Sequence, residues 1–542
     1  MDPDLNPQYN LLDEPWIPVL RLDGTRTWCG FRGAISEAAS IAALDFDDPL
    51  AQVVAHRHLE AMVLAAEGAP LASEDVRAWA VWVTELLERG HLEPTVSYLD
   101  ERRDLFWLVG GDRPYLQDPA IAVECPKRSS VNKLVMSNDS GNNALFFTRR
   151  PDADLEPIEF PNAAAALLAQ AAFAAGGRCS SRNGIADSKQ GTLRGVTVFG
   201  LSGATLLESL LAAMVPTRGD AETHPADAPV WELGTWTTAT GGPLSRRTAT
   251  TKGLLLYAND GGVVDFTLTW GPKHPTDTWP VDQAAAIRID STGAEKGKDR
   301  PFKAAPSTAV WVDAAVFVAA DAQQAAASPT GRYSLKPPAA LSRSHPMTHS
   351  DSRRVRETWK RLTVTATTHF DKSISTDLAS VCVDVGLPLG AFDEESALRR
   401  RLLEGYAKSA VDTGKVLGDA VREAHGEPAE NGSRPKWAAI GVATDATSPY
   451  WSGAGHAFRT LASSSAGEDD LEAALLTLFR GARSAFDSSI GSLDCSDPRR
   501  ARLVESARRR LWARTALRLT KHASVTNPPL SVSTTPAGSS DA

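Results

Sequence analysis

The stretch YNLLDEPWIPVL, Tyr9 to Leu20, sets the terms on which the rest of the chain is read. Leu11, Leu12, Trp16, Ile17 and Val19 are apolar anchors crowded around a short acidic turn. Pro15 and Pro18 fix φ and remove backbone donors, so the run cannot be a helix. It reads as an extended segment pinned to a core, at the start of a large globular unit.

Working outward from it, the first part of the chain reads as mixed helix and strand with many loops. Asp47 to Leu71 has a helical pattern, whereas LFWLVG (Leu105 to Gly110), GLLLYAND (Gly253 to Asp260) and VVDFTLTW (Val263 to Trp270) read as strands. The Asn259-Asp260-Gly261-Gly262 run between the last two predicts a hairpin turn. Long polar segments at 127–143, 176–191, 216–229 and 291–306 are either functional loops or disorder.

Beyond Leu387 the pattern changes. Leu398, Leu402, Tyr406, Ala410, Leu417 and Val421 make a helical stripe, as do Leu471, Leu475, Leu478, Ala482 and Phe486. A shorter helix is expected over Gly453 to Leu461 and a last one over Pro498 to Leu519, four helices that make a bundle. In the last, Leu503, Ala507 and Leu511 form a stripe whose line Arg514 and Arg518 continue. Those two arginines must pair with bundle acids or face a partner. The expected fold class is α+β: a mixed domain over 1–380, a four-helix bundle over 387–525 and a disordered tail over 526–542.

Composition bounds the function. The 542 residues are 42% hydrophobic and 23% charged, as in an ordinary globular protein. No apolar run is long enough to span a membrane and no leader opens the chain, so a cytoplasmic protein is expected. Five scattered cysteines (Cys29, Cys125, Cys179, Cys382, Cys495) form no Cys-x-x-Cys pair, which argues against both a disulfide frame and structural zinc. The net charge of −9 speaks at first sight against nucleic acid, but basic residues gather between Arg499 and Lys521 with Glu505 as the lone acid. Such a run is either a solvated helix face or a partner surface.

Catalytic signatures are missing. His56 and His58 in AHRHLE point apart at i and i+2, and His56 with Glu60 gives two ligands, too few for a metal. GGRCSSRNG, Gly176 to Gly184, lacks the lysine and spacing of a phosphate loop. Cys179 beside Arg178 has no recognisable histidine and acid to activate it. A binding or assembly subunit fits this better than an enzyme, with no cofactor and no metal; an unfamiliar enzyme built on Cys179 or the His56/His58 helix is the rival.

Several collinear segments carry a family resemblance. NLLDEPWIPV, DLFWLVGGDRPYLQDP (Asp104 to Pro119), SGNNALFF (Ser140 to Phe147), LSGATLLESLLAAMVP and YWSGAGHAFRTL resemble, in order, the large subunit (CasA type) of the type I-E CRISPR Cascade complex. The resemblance implies a non-catalytic subunit of an RNA-guided antiviral surveillance complex. Such a subunit reads the protospacer-adjacent motif (PAM) on double-stranded DNA, mostly from the minor groove, promotes unwinding and R-loop formation, and recruits the effector helicase-nuclease. The partners implied are the other Cascade subunits, the 5' end of the CRISPR guide RNA, duplex target DNA and that nuclease; the isolated chain is expected to be a monomer. A purely structural assembly subunit, touching guide RNA and neighbouring subunits without reading DNA, remains the alternative.

Residue by residue, the resemblance maps Asn143, Phe146, Phe147 and Thr148 onto the loop that meets the guide end and a neighbouring subunit. Gly176, Gly177 and Gly184 map onto a glycine loop whose backbone approaches the groove. Lys273 in TWGPKHP matches the lysine that enters the minor groove, and is otherwise a solvated turn. Where the family carries a glutamine wedge, THFDKSIS holds Ser373 after Lys372. Serine is too short to wedge base pairs, which leaves the hairpin itself or Phe370. Arg508, Arg509 and Arg514 are the expected nucleic-acid or partner contacts of the bundle.

Overall fold

The computed structural model describes residues 7–70, 76–125, 127–136, 155–176, 182, 189–214, 227–234, 241–272, 274, 281–293, 296–304, 309–319, 325–328, 333–370, 379–392, 397–426, 437–462, 467–491, 493 and 495–526. The chain divides into two compact units, one of Met1–Pro306 with Asp313–Arg400, the other of Ser307–Val312 with Arg401–Ala542.

In the first unit the opening stretch behaves as its anchors require. Tyr9–Asn10 pairs with Trp107–Val109, and Ile17–Arg21 is the central strand between Arg26–Cys29 and Ile41–Leu44. Leu11, Trp16, Ile17 and Val19 are fully buried. The acidic turn between the strands is closed from inside, where the Trp16 indole donates to the Leu11 carbonyl at 2.9 Å. Gly30 is obligatory beside it, because a Cβ there would lie 2.2 Å from the Leu12 carbonyl oxygen.

The described strands form five small antiparallel sheets rather than one large one. The predicted hairpin is present: Lys252–Asn259 pairs with Gly262–Trp270, and Asn259 Oδ1 accepts from the Gly261 amide at 2.9 Å to hold the turn. A second sheet pairs Thr363–Phe370 with both Ala379–Pro388 and Thr197–Ser202, so the first unit reaches past residue 380 to Arg400. Through the middle runs the helix Pro49–Ala66, capped by the Asp48 carboxylate on the Leu50 amide and started by proline at its first position. It is buried on nearly all sides, which places Arg57, His58 and Glu60 in the interior with its leucines.

The second unit is helical. Its long helices among the described residues are Ala397–His425 from Arg401 onward, Trp437–Ala462, Glu468–Ile490 and Pro498–Thr526. The stripes at Leu402, Tyr406, Ala410, Leu417 and Val421 and at Leu475, Leu478, Ala482 and Phe486 are buried, while Leu398 stays 45% exposed. Two differences from the sequence reading have plain causes. The second helix is far longer than Gly453 to Leu461 and runs through Pro449; packing of Tyr450 and Phe458, both buried, outweighs the missing hydrogen bond. In the last helix the buried line is Val504, Ala507, Leu511 and Thr515, so Arg514 falls on the exposed side.

Within the segment Ser307–Val312, Trp311 packs into this second unit. Trp311 lies 4.7 Å from the Phe458 ring and stacks on Tyr406 at 6.0 Å. Gly455 makes room for it, since a Cβ there would come within 3.0 Å of the indole nitrogen.

Candidate nucleic-acid interface

The glycine-rich stretch leaves and returns at one place. Its stem is built where the helix Phe160–Phe173 ends: Gly191 donates to the Ala174 carbonyl at 2.8 Å, and Leu193 to that of Ala172 at 3.0 Å. A Cβ on Gly191 would sit 2.2 Å from the Ala172 oxygen, so this return is open to glycine alone. Gly176 is exposed and faces Gln190 without crowding, a Cβ there meeting nothing closer than 3.4 Å. The close approach within the stem is that of Gly191, a residue that sequence reasoning passed over, to Ala172. Gly177, Gly184 and Cys179 lie outside the described residues.

The same stem meets the segment that carries Lys273. Thr251 Oγ1 donates to the Gln190 carbonyl at 3.0 Å, and Thr251 in turn lies under Gly271, where a Cβ would be 2.4 Å from its oxygen. His274 Nε2 makes a 2.8 Å hydrogen bond with the Thr250 carbonyl. Burial lowers the His274 pKa; the bond to Thr250 opposes that shift and nearby Lys189 adds to it. A neutral imidazole whose Nε2 carries the proton satisfies the carbonyl. Lys273 itself lies outside the described residues, but Pro272 and His274 on either side of it are buried. Two segments far apart in sequence, the glycine stem and the lysine's flanks, thus converge on Thr250–Thr251.

Within the glycine-rich stretch Arg182 is buried between two acids. Its Nη1 lies 2.8 Å from Asp118 Oδ2, a contact of charge too bent for a good hydrogen bond, and its Nε donates to Glu124.

A family profile for CRISPR-associated protein Cse1 matches residues 10–486. The chain belongs to the Cse1 family. A curated relative, CRISPR-associated protein CasA/Cse1 of Thermus thermophilus, is 33% identical over 299 residues. That aligned stretch is 53% of this chain and 56% of the relative, little more than half of either. Solved structures share the fold over nearly the whole chain. A chain of a CRISPR RNA-guided surveillance complex has a TM-score of 0.71 at 23% identity, covering 93% of this chain and 100% of that one. Cse1 of Acidimicrobium ferrooxidans has 0.69 at 18%, covering 95% and 99%. CasA (Cse1) of Thermus thermophilus has 0.66 at 21%, covering 95% and 99%. The CasA-type resemblance and the α+β fold class read from the sequence both hold.

The remaining expectations fall unevenly on this Cse1 chain. Asn143, Phe146, Phe147, Thr148, Lys372 and Ser373 lie outside the described residues, as does the side chain of Phe370, which ends its strand opposite Ala379. Arg508 is paired with Asp487 at 3.1 Å and Glu505 at 3.6 Å, and Arg509 with Glu505 at 2.8 Å, yet Arg509 remains 79% exposed. Arg510, not singled out in the sequence, reaches Glu423. His56 and His58 do point apart: His56 Nδ1 meets Glu60 at 2.8 Å and His58 Nδ1 meets the Tyr115 hydroxyl at 2.6 Å. Burial, helped by Arg57, lowers the His58 pKa to about 3, so it is a neutral core residue. No group of metal-ligating side chains is found among the described residues, and no described helix is long and apolar enough to cross a membrane.

The largest feature missed from the sequence is an interior ionic cluster. Arg57 grips Asp282 with two nitrogens at 3.0 and 2.6 Å, and Arg247 reaches Glu60 at 2.8 Å and Gln283 at 3.1 Å. Burial alone would raise both acids. For Glu60 the His56 hydrogen bond with the Arg247, His56 and Arg57 charges, and for Asp282 the Arg57 charge and hydrogen bonds, hold each down at about 2. The cluster walls a cavity of about 150 Å³ whose other side is Val198, Phe199, Leu201 and Leu206. With each carboxylate already held by an arginine, the cluster locks the helix Pro49–Ala66 to the segments around Arg247 and Asp282.

Proposed function

We propose that this chain serves as the non-catalytic large subunit of a type I-E RNA-guided surveillance complex. In that role it reads the PAM on double-stranded DNA, promotes R-loop formation and recruits the effector helicase-nuclease. The observation that carries the reading is the convergence of the glycine stem and the Lys273 flanks on Thr250–Thr251, in a chain matched to the Cse1 family over residues 10–486. A long cation next to bare backbone is what a minor groove accepts: the cation finds the groove's acceptors and potential, and glycine backbone avoids the sugar edges.

The acidic net charge does not oppose this. Groove reading needs a few placed donors, while pairing with the guide supplies sequence specificity. The guide-end loop with Asn143, Phe146, Phe147 and Thr148 and the Lys372–Ser373 hairpin near Phe370 take the contacts that the family resemblance implies. The chain works in the cytoplasm, beside the other Cascade subunits and the guide's 5' end, and is a monomer when isolated.

Binding of the assembled complex to duplexes with and without the motif tests the reading. Lys273→Ala is expected to weaken binding to the motif-bearing duplex more than to the motif-less one. Equal weakening on both makes Lys273 a phosphate contact, and no weakening moves the role elsewhere, with Lys296 and Lys298 next in line. Phe146→Ala is expected to weaken attachment of the subunit as well.

A further inference from the structure

The strand Thr197–Ser202 reads TVFGLS, with a glycine in its interior. Such a glycine weakens a strand and marks a place where a ligand or another backbone comes close. Among the described residues no backbone does so. A Cβ on Gly200 would meet only the Thr365 hydroxyl there, at 2.9 Å, and both residues line the cavity of about 150 Å³ beside the Arg57–Asp282 pair. The strand edge is open at the same point. The Thr197 and Phe199 amides point away from the paired strand, donating to the Phe302 carbonyl at 3.0 Å and the Ala284 carbonyl at 2.7 Å. Alternation along the strand turns the N–H and C=O of Leu201 the same way. Neither has a partner on that side among the described residues, and Leu201 lines the cavity instead. Buried backbone groups of this kind call for a partner.

The rest of the wall says what kind of molecule fits. Arg57 spends its donors on Asp282 and the Arg246 carbonyl, and Arg247 spends its own on Glu60, Gln283 and the Pro243 carbonyl. Arg246, the third guanidinium of the wall, adds its charge to that of Arg57 on Asp282. A charged guest would have to break these pairs in a poorly solvating interior, so a neutral one is favoured. Val198 and Leu206 supply apolar surface, and a volume of about 150 Å³ is that of a cavity that holds one benzene ring. We propose that this cavity is a binding site for a small neutral cyclic amide, a single ring with N–H and C=O on adjacent atoms that completes the open Leu201 edge. The ring N–H donates to the Leu201 carbonyl and the ring carbonyl accepts from the Leu201 amide. Gly200 leaves the ring its space. Pyridones, lactams and pyrimidine bases of the uracil type share this edge. The site is independent of the nucleic-acid role proposed above.

The test titrates the full-length chain calorimetrically with four probes: 2-pyridone, N-methyl-2-pyridone, toluene and benzoate. 2-Pyridone is expected to bind with a Kd below about 1 mM. N-methyl-2-pyridone, which lacks the donor, is expected to bind at least about tenfold more weakly, the scale of one buried hydrogen bond left unmade. Gly200→Val fills the space that the ring takes and is expected to weaken 2-pyridone at least about tenfold while the chain still melts cooperatively. If the valine crowds Thr365 and the chain does not fold, Gly200→Val with Thr365→Ala removes the crowding and carries the same test. A crystal of the unmutated chain soaked in 2-pyridone is expected to show the ring against Leu201. No binding of 2-pyridone overturns the proposal, leaving a cavity that holds water alone. Toluene binding as tightly makes it an apolar hole, tighter benzoate makes it an anion site, and equal binding of the N-methyl probe removes the Leu201 edge from the reading; each overturns the proposal. So does 2-pyridone binding unchanged in the folded Gly200→Val chain, or seated away from Leu201 in the crystal.

Discussion

Arginine does opposite work in the two units. In the first, Arg57 and Arg247 are 8% and 6% exposed and locked to Asp282 and Glu60; in the second, Arg508, Arg509 and Arg510 are 40%, 79% and 65% exposed and touch Asp487, Glu505 and Glu423. Both sets are ion pairs by distance. Inside, the charges have been taken from water, and losing one partner strands the other in a medium that solvates it poorly. Outside, water and salt do most of the solvating, and the pairs contribute little. Ranked by distance the two regions are equals; burial separates them by several kcal/mol. The exposed arginines also keep their capacity to trade a protein acid for a phosphate.

The largest effect that could break this contrast is Glu60→Ala. It leaves the Arg247 guanidinium buried without its carboxylate, and a destabilisation of about 3–5 kcal/mol is expected in chemical denaturation of the purified chain. A change below about 1 kcal/mol, the range of exposed pairs, would place the inner cluster with the outer ones. Acid sharpens the same point. The folded Glu60 pKa of about 2 lies below its ordinary 4.5, so its contribution is present above about pH 4.5 and disappears as pH falls toward 2. That span corresponds to about 3 kcal/mol, and Glu60→Gln should flatten the acid limb of a stability–pH profile.

Asp313 is the counter-example within the first unit. Burial raises it to about 6 from 3.8, against a hydrogen bond from Tyr333 and the charge of Arg288, which is itself engaged with Asp290. Here the sign reverses: the stability it contributes is full below about pH 3.8 and is lost as pH rises through 6. Asp313→Asn should therefore stabilise the chain at about pH 8, by at most about 3 kcal/mol, and do little at about pH 4, as thermal melts at the two pH values would show.

Next in size is the motif discrimination of Lys273, about 1–3 kcal/mol in the ratio of duplex affinities if it makes one specific groove contact. The smallest effect on stability is expected from the bundle. Reversing Arg508, Arg509 and Arg514 to glutamate should change folding by roughly 0.5 kcal/mol or less per site. If these side chains meet a nucleic-acid backbone, the same variants should reduce the salt slope of target binding by roughly one unit for each phosphate no longer engaged. An unchanged slope would make them a solvated, internally paired face.

These regions also differ in how much of them the sequence disclosed. The anchors of Tyr9–Leu20, the Asn259–Gly262 turn and the stripes of the long helices were legible because each is a local pattern: proline beside apolar residues, a turn dipeptide, a period of 3.6. Glu60 and Arg247, by contrast, stand 187 positions apart, and Arg57 and Asp282 stand 225 apart. Nothing local in AHRHLE or PLSRRT announces their pairing, and both arginines look like surface residues until the helix that carries one is buried. The helix around Pro449 was read too short, over Gly453 to Leu461, since packing carries it through a residue that lacks the backbone donor. At the candidate interface the lysine and glycines were named through resemblance alone. Gly191 and Thr251 were not, because a close approach to the Ala172 carbonyl and a hydrogen bond to the Gln190 carbonyl join residues with no local pattern between them.

The place of Trp311 has a consequence for how the chain comes off the ribosome. The second unit draws on Ser307–Val312 as well as Arg401–Ala542, so a tryptophan made early must wait for Tyr406 and Phe458 to be synthesised. Until then a large indole has no bundle to enter. A fragment starting at residue 401 would meet the converse problem, a slot beside Gly455 with nothing to fill it. Separate expression of the helical unit is therefore expected to yield a looser protein than the same residues in the intact chain, and a peptide containing Trp311, added in trans, to tighten it.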